Sequence, residues 1–319
     1  MSGPSLPVRM LRPFAWLGVL ALLALAIVTG CHPNAASFSG VSELTDPSTL
    51  TDPSTPGHRS MASAAAPPRP SDAARPPTSS TVREAWSPRA DRRWQVQLTG
   101  ALMDNLGANV YDLDPYATAT QTVADLRAHG NQTMCHLDIG VADADLPDAP
   151  RLGGRLLGAP VTDPDGTVRG WWLDIRRWDR IAPVLTDRLE LCRAKGFQAV
   201  DADFGDGYAR PTRFPLTESE QLTYDRRVAA LAHQAGLAVG VRTTAAVALS
   251  LEPSVDFAVA SDCFGTGNCA SLLGYVAAGK AVFDVEASTA GDVCPLARTY
   301  GITASLLPTP MDMATSRPC

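Results

Sequence analysis

No two cysteines in this chain stand at C-x-x-C spacing, which argues against a structural zinc site. No G-x-G-x-x-G follows the first strand-like run, so the usual dinucleotide turn of an open α/β sheet is missing. Positive charge is in deficit. The 27 Lys and Arg residues face 33 Asp and Glu, a net −6 that argues against a nucleic-acid partner and for a cationic or neutral one. The apolar run near the N-terminus, Phe14 to Val28, is too short for a comfortable membrane span.

That run has the layout of an export signal, with Arg9 and Arg12 ahead of it and small residues behind. It ends Val28-Thr29-Gly30-Cys31, which resembles the lipobox of bacterial lipoproteins, so Cys31 is the expected lipidation site. Residues 1–30 are then a signal peptide. Residues 31–93, rich in Ser, Thr, Pro and Ala with LTDPST at 44–49 and again at 50–55, are expected to be a disordered tether. A coil of about 60 residues spans on the order of 40–50 Å. The expected location is outside the cytoplasm, on the outer side of a bacterial cell membrane, with membrane contact through the lipid alone.

Six cysteines remain, Cys135, Cys192, Cys263, Cys269, Cys294 and Cys319, an even number that reads as three disulfides in an oxidising compartment. From Trp94 onward short apolar runs alternate with helical patterns. Strands are expected at 94–98, 109–111, 133–138, 170–174, 199–203, 238–242, 257–261 and 281–285. Amphipathic segments at 120–129, 178–195, 218–235, 269–278 and 291–300 are each followed or closed by glycine, and Thr217 with Glu220 forms a capping-box signal. Strand, helix, glycine, strand in repetition means parallel βαβ units. Eight strands in residues 94–319 suit a single-domain (β/α)8 TIM barrel, with an open doubly wound sheet as the alternative.

The segment FQAVDADFGDGY at 197–208 organises the rest. An apolar strand ends there in Asp201, Asp203 and Asp206. An Asp-rich loop start has the same appearance, because Asp satisfies its own backbone. The other acids decide between the two: Asp112, Asp114, Asp138, Asp174, Asp262 and Glu286 also stand at or after strand candidates. A barrel gathers such ends into one mouth, where close carboxylates push each other's pKa values apart. Trp94, Tyr111, Trp171, Trp172, Phe204, Tyr208 and Phe264 supply rings for stacking on sugar faces, although each taken singly fits a core position as well.

With these motifs the chain resembles the endo-α-1,4-polygalactosaminidase family of glycoside hydrolases, which are TIM barrels. The matching segments run in order from WQVQLTG at 94–100 through VYDLD at 110–114, WLDIR at 172–176, VDADFGDGY at 200–208 and FPLTESEQLTYDR at 214–226. They continue with DFAVASDCF at 256–264 and GKAVFDVE at 279–286. The resemblance implies a cationic amino-sugar polysaccharide as substrate; no cofactor and no metal are expected, and the chain is expected to be a monomer. It also implies pairing of Cys263 with Cys269 and Cys294 with Cys319, leaving Cys135 with Cys192. Asp203 aligns with the family's catalytic aspartate.

The departures are specific. Asp201 and Phe204 replace the glutamate and asparagine of the family's E-P-D-N-x-D-G-Y. Arg242, Thr243 and Thr244 replace Lys-Asn-Asp, and Ser261 stands where the second catalytic carboxylate, a glutamate, is expected. Serine is no useful proton donor at neutral pH. Asp262, after a bend, or Glu286, on the neighbouring strand, is the expected replacement. The binding set expected at the mouth is Tyr111, Asp112, Asp114, Asp138, Asp174, Asp201, Asp206, Tyr208, Arg242 and Phe264. Two readings stay open at this point: a surface-anchored hydrolase, or a carbohydrate-binding relative that keeps the groove without the chemistry.

Overall fold

The computed structural model describes residues 92–163, 166–287, 293–308 and 315–319. They belong to the compact unit Arg75–Cys319; the export signal, Cys31 and the tether as far as residue 91 lie outside the described residues.

In chain order the elements are β1 (Trp94–Gln97), β2 (Val110–Leu113), α1 (Thr120–Ala128), β3 (Gln132–Asp138), β4 (Val141–Asp143), β5 (Leu157–Thr162) and β6 (Val168–Leu173). Then come α2 (Trp178–Lys195), β7 (Ala199–Asp203), α3 (Glu218–Gln234), β8 (Ala238–Val241), α4 (Ala245–Leu251) and β9 (Ala258–Ser261). The chain finishes with α5 (Leu273–Ala277), β10 (Val282–Ala287), α6 (Cys294–Tyr300), β11 (Thr303–Leu307) and β12 (Arg317–Pro318).

Parallel pairing runs β1-β2-β3-β7-β8, passes to β9 through the Arg242–Val259 bridge, and continues β9-β10-β11. The C-terminal segment closes the ring. Pro318 pairs antiparallel with Ser305 of β11, and the Ser316 backbone N–H donates to the Val96 carbonyl of β1 at 2.8 Å. The result is a (β/α)8 barrel.

One expected barrel strand is a different element. Residues 170–174 fall mostly in β6, the central strand of an antiparallel side sheet, β4-β6-β5. The eighth barrel strand is β11, which follows α6 and had not been recognised in the sequence. An apolar run reads the same in a side hairpin and in a barrel. The distinguishing feature is the stretch between Asp138 and Gly170, whose described residues hold side-sheet strands and two 3-10 turns, Ala149–Leu152 and Gly154–Leu156, where a crossover helix should be. The segment 269–278 is likewise a 3-10 turn followed by the short α5.

Local signals behave as their chemistry demands. Thr217 and Glu220 form the reciprocal capping box at the start of α3, and Gly196 stops α2 at φ 92°, a left-handed geometry that side-chain-bearing residues avoid. The disulfides Cys135–Cys192, Cys263–Cys269 and Cys294–Cys319 have Cα separations of 5.9, 4.7 and 5.3 Å. The first ties β3 to α2.

Alternation along the strands divides two apolar layers. Trp94, Val110, Met134, Phe257 and Phe283 point inward and pack with one another; Tyr111, Cys135, Val200 and Tyr224 belong to the layer between barrel and helices. Trp94 and Phe257 both lie against the Phe283 ring, with centroids 5.2 and 5.8 Å away. Gly240 leaves room for this plug, since a Cβ there would stand 2.4 Å from the Phe257 ring. The lower barrel is therefore filled by this apolar layer, and charged inward side chains follow toward the strand C-termini.

Candidate active site

Strand parity builds the mouth. Inward positions continue Val110 to Asp112 on β2, Met134 to His136 and Asp138 on β3, Ala199 to Asp201 and Asp203 on β7, and Val259 to Ser261 on β9. Arg242 enters the same space from the end of β8. Its guanidinium donates from Nε and Nη2 to Asp201 at 2.9 and 2.6 Å and from Nη1 to Ser261 Oγ at 2.9 Å. Asp112 and Asp203 lie 3.6 and 4.0 Å from it, and the Trp94 ring is beneath it at 5.7 Å.

His136 sits among four carboxylates. Its Nδ1 faces Asp112 at 3.4 Å and Asp201 at 3.5 Å; its Nε2 faces Asp203 at 3.6 Å and Asp138 at 3.9 Å. From the side sheet, Arg169 donates to Asp138 at 2.5 Å and spreads its guanidinium over the Phe204 ring, which meets Trp172 edge-on. Phe204 holds φ 61°, an uncommon left-handed conformation for a bulky residue, immediately after the strand that ends in Asp203.

Charge placement sets the protonation states. Burial pushes Asp112 up to about 7, reinforced by the Asp201 charge and opposed by His136. Burial also acts on Asp201, but Arg242 and His136 outweigh it and hold that carboxyl below its ordinary range. For His136 burial favours the neutral ring, yet Asp112 and Asp201 win and raise it well above the usual imidazole value. Asp138 is raised by burial despite Arg169.

The rest of the expected set divides. Asp206 joins the rim, paired with Arg210 at 2.6 Å, and burial raises its pKa. Tyr208 shares a 2.7 Å hydrogen bond with Thr244, joining the loops after β7 and β8. Asp114 instead accepts from the Tyr116 N–H within its own turn. Tyr111 is buried in the outer layer, its hydroxyl donating to the Ala108 carbonyl. Asp174 follows the side-sheet strand β6 and is held by Arg176 through two bonds, apart from the cluster. Phe264 stacks on Tyr300 at 5.9 Å, also in the outer layer.

The two expected replacements for the missing glutamate are turned elsewhere. Glu286 has the opposite parity to the inward Phe283 and Val285. Its buried carboxylate accepts from the Phe264 and Gly265 N–H groups at 2.6 and 3.2 Å. Asp262, at φ 52°, extends the β9–β10 ladder by accepting from the Ala287 N–H at 2.7 Å. Both carboxylates brace the loop carrying the Cys263–Cys269 bridge.

His136 and Arg169 complete the mouth without having been expected there. For His136 the signal was available, because it alternates with Met134 and Asp138 on a strand already recognised. For Arg169 there was none: its approach depends on the side sheet. The sets Asp112/His136/Asp201 and His136/Asp138/Asp203 each bring ligand-type atoms within 4.8 Å of one another. In these sets Asp201 is already held by the Arg242 guanidinium and Asp138 by that of Arg169.

A filled barrel with a charged, carboxylate-lined mouth defines the architecture of a barrel glycosidase. The chain belongs to glycoside-hydrolase family GH114, whose family model matches residues 75–305. This bears out the resemblance carried by the sequence motifs. No curated protein matches the chain. Among solved structures it is similar to Ega3 of Aspergillus fumigatus, crystallised with galactosamine, at 23% identity over 72% of this chain and 96% of that one, with a TM-score of 0.66. The glycoside hydrolase domain of PelA from Pseudomonas aeruginosa follows at 15% identity over 68% and 94%, with a TM-score of 0.52. These likenesses show the fold.

Proposed function

We propose that this glycoside hydrolase cleaves a cationic, galactosamine-containing polysaccharide and that Asp203 is its catalytic carboxylate. The observation that carries the reading is the standing of Asp203 in the cluster. Its side chain is 27% exposed at the rim, while Asp112 and Asp201 below it are fully buried among His136 and Arg242. The acid nearest to substrate is thus held in place by charges that substrate does not touch. The galactosamine bound to Ega3 supports an amino sugar, whose protonated amine suits a mouth lined by Asp138, Asp203 and Asp206. Net charge of −6 acts in the same direction.

Cys31 is the proposed lipid anchor and residues 31–93 the tether, which together hold a monomeric catalytic domain at the outer side of a bacterial cell membrane. Support comes from VTGC after the apolar run and from the Ser/Pro/Thr-rich composition. Mass spectrometry of the mature protein should find an acylated Cys31; an unmodified N-terminus elsewhere removes the anchor.

The enzymatic test is release of reducing ends from polygalactosamine, with fully N-acetylated polymer as comparison. Retention on the polymer without release would mark a carbohydrate-binding barrel instead. Ser261 at the position of the expected glutamate is the feature that favours this second outcome.

A further inference from the structure

We propose that Asp138 is the second catalytic carboxylate, the proton donor and acceptor that works with Asp203. This rests on the hydrolase reading above and identifies the group that reading leaves open. Cleavage of a glycosidic bond between two carboxylates needs a partner for Asp203. Ser261 offers only a hydroxyl, and Arg242 already donates to it. Asp262 turns its Oδ1 onto the Ala287 N–H, and Glu286 accepts from two backbone N–H groups on the outer face of β10.

Asp138 ends β3 in direct register with Asp203 at the end of β7. The two share strand parity, so both side chains rise from the same inward face. Oxygens of the two and a His136 nitrogen lie within 4.8 Å of one another. That spacing falls with the close-set geometry of retaining glycosidases, about 5–5.5 Å between carboxyl groups, rather than the about 6.5–9.5 Å of inverting ones. Their surroundings differ in the sense the division of labour requires. The Asp138 side chain is 5% exposed against 27% for Asp203, and burial favours its protonated form. Arg169 takes Oδ2 of Asp138, while Oδ1 faces His136 Nε2 at 3.9 Å.

In the first step Asp203 forms a bond to the anomeric carbon as the glycosidic C–O bond breaks. The leaving oxygen keeps that electron pair and takes the proton from Asp138. In the second step the Asp138 carboxylate accepts a proton from water, whose oxygen bonds to the anomeric carbon as the bond to Asp203 breaks. One water is consumed and both carboxyl groups return to their starting states. His136, with Nε2 facing both acids, is a positioning residue.

The test compares the parent, Asp138→Asn, Asp203→Asn and Arg169→Ala on polygalactosamine and on dinitrophenyl galactosaminide, whose leaving group needs no proton. Asp138→Asn should lose about 10²–10⁴-fold on the polymer. It should retain the initial burst of dinitrophenolate, and azide should restore its slowed turnover. Asp203→Asn should lose both activities. Equal loss on the two substrates in Asp138→Asn, or unchanged polymer cleavage, overturns the assignment while the hydrolase reading stands. A parent that cleaves neither substrate overturns both. If Asp138→Asn does not show the parent's cooperative melting, Asp138→Ser takes its place in the same comparison. Arg169→Ala separates loss of the acid from loss of its salt bridge, since it should not show the leaving-group dependence.

Discussion

Arg242 donates from Nη1 to the Ser261 hydroxyl at 2.9 Å while its Nε and Nη2 hold Asp201. A neutral oxygen suffices at position 261 because the buried guanidinium already has its counter-charge. A glutamate there would compete with Asp201 for Arg242 and would place a carboxyl across the mouth from β3.

Ser261→Glu combined with Asp138→Asn should therefore recover part of the polymer cleavage that Asp138→Asn alone loses. The measurement is reducing-end release by the double variant. No recovery would mean that a carboxyl rising from the end of β9 cannot reach the leaving oxygen.

Asp203→Asn should lower turnover by at least about 10²–10³-fold and leave retention on the polymer close to the parent. The amide keeps the shape and its place above His136 but cannot attack or carry the charge. Near-normal turnover would remove Asp203 from the chemistry.

Asp284→Asn should flatten the pH dependence of stability. Asp284 lies beneath the Cys263–Cys269 loop. Burial first and the neighbouring Glu286 second push it up to about 8, and its Oδ2 has no hydrogen-bond partner among the described residues. Its folded pKa exceeds the unfolded value, so its contribution is fully present below about pH 4 and is lost as pH rises through about 8. Urea unfolding at pH 5 and pH 8.5 should show the variant gaining on the parent at the higher pH. An unchanged difference would mean Asp284 ionises without cost.

Removing the Cys135–Cys192 bridge by alanine at both positions should cost about 2–4 kcal/mol, read as a lower denaturation midpoint. The bridge closes a 57-residue separation between a barrel strand and its covering helix. Thr217→Ala should cost about 1 kcal/mol through the lost cap of α3. An intact midpoint in either variant contradicts the corresponding role.

Much of the barrel was readable because its causes are local. Period-two apolar runs, a capping box at Thr217 and a glycine after α2 each act within a few residues, whatever the rest of the chain does. The strand 170–174 escaped that logic. Whether an apolar strand joins a parallel barrel or an antiparallel hairpin depends on its partner, which the strand's own residues do not name. The same holds for the barrel's eighth strand, 303–307, whose edge is sealed by a C-terminal segment folding back beside β1.

At the site, the sequence by itself determined which acids end strands and that position 261 carries no carboxylate. Parity along β3 and β7 already sends Asp138, Asp201 and Asp203 to one face. Only the tertiary structure decided that Glu286 takes the Phe264 and Gly265 N–H groups, that Asp262 extends the ladder and that Asp174 answers to Arg176. Only it decided that Arg169 and Arg242 arrive from separate elements to fix the charges of the mouth. The physical reason is that a side chain's facing follows from its own strand, whereas its partners and its charge follow from distances that exist only after the ring has closed.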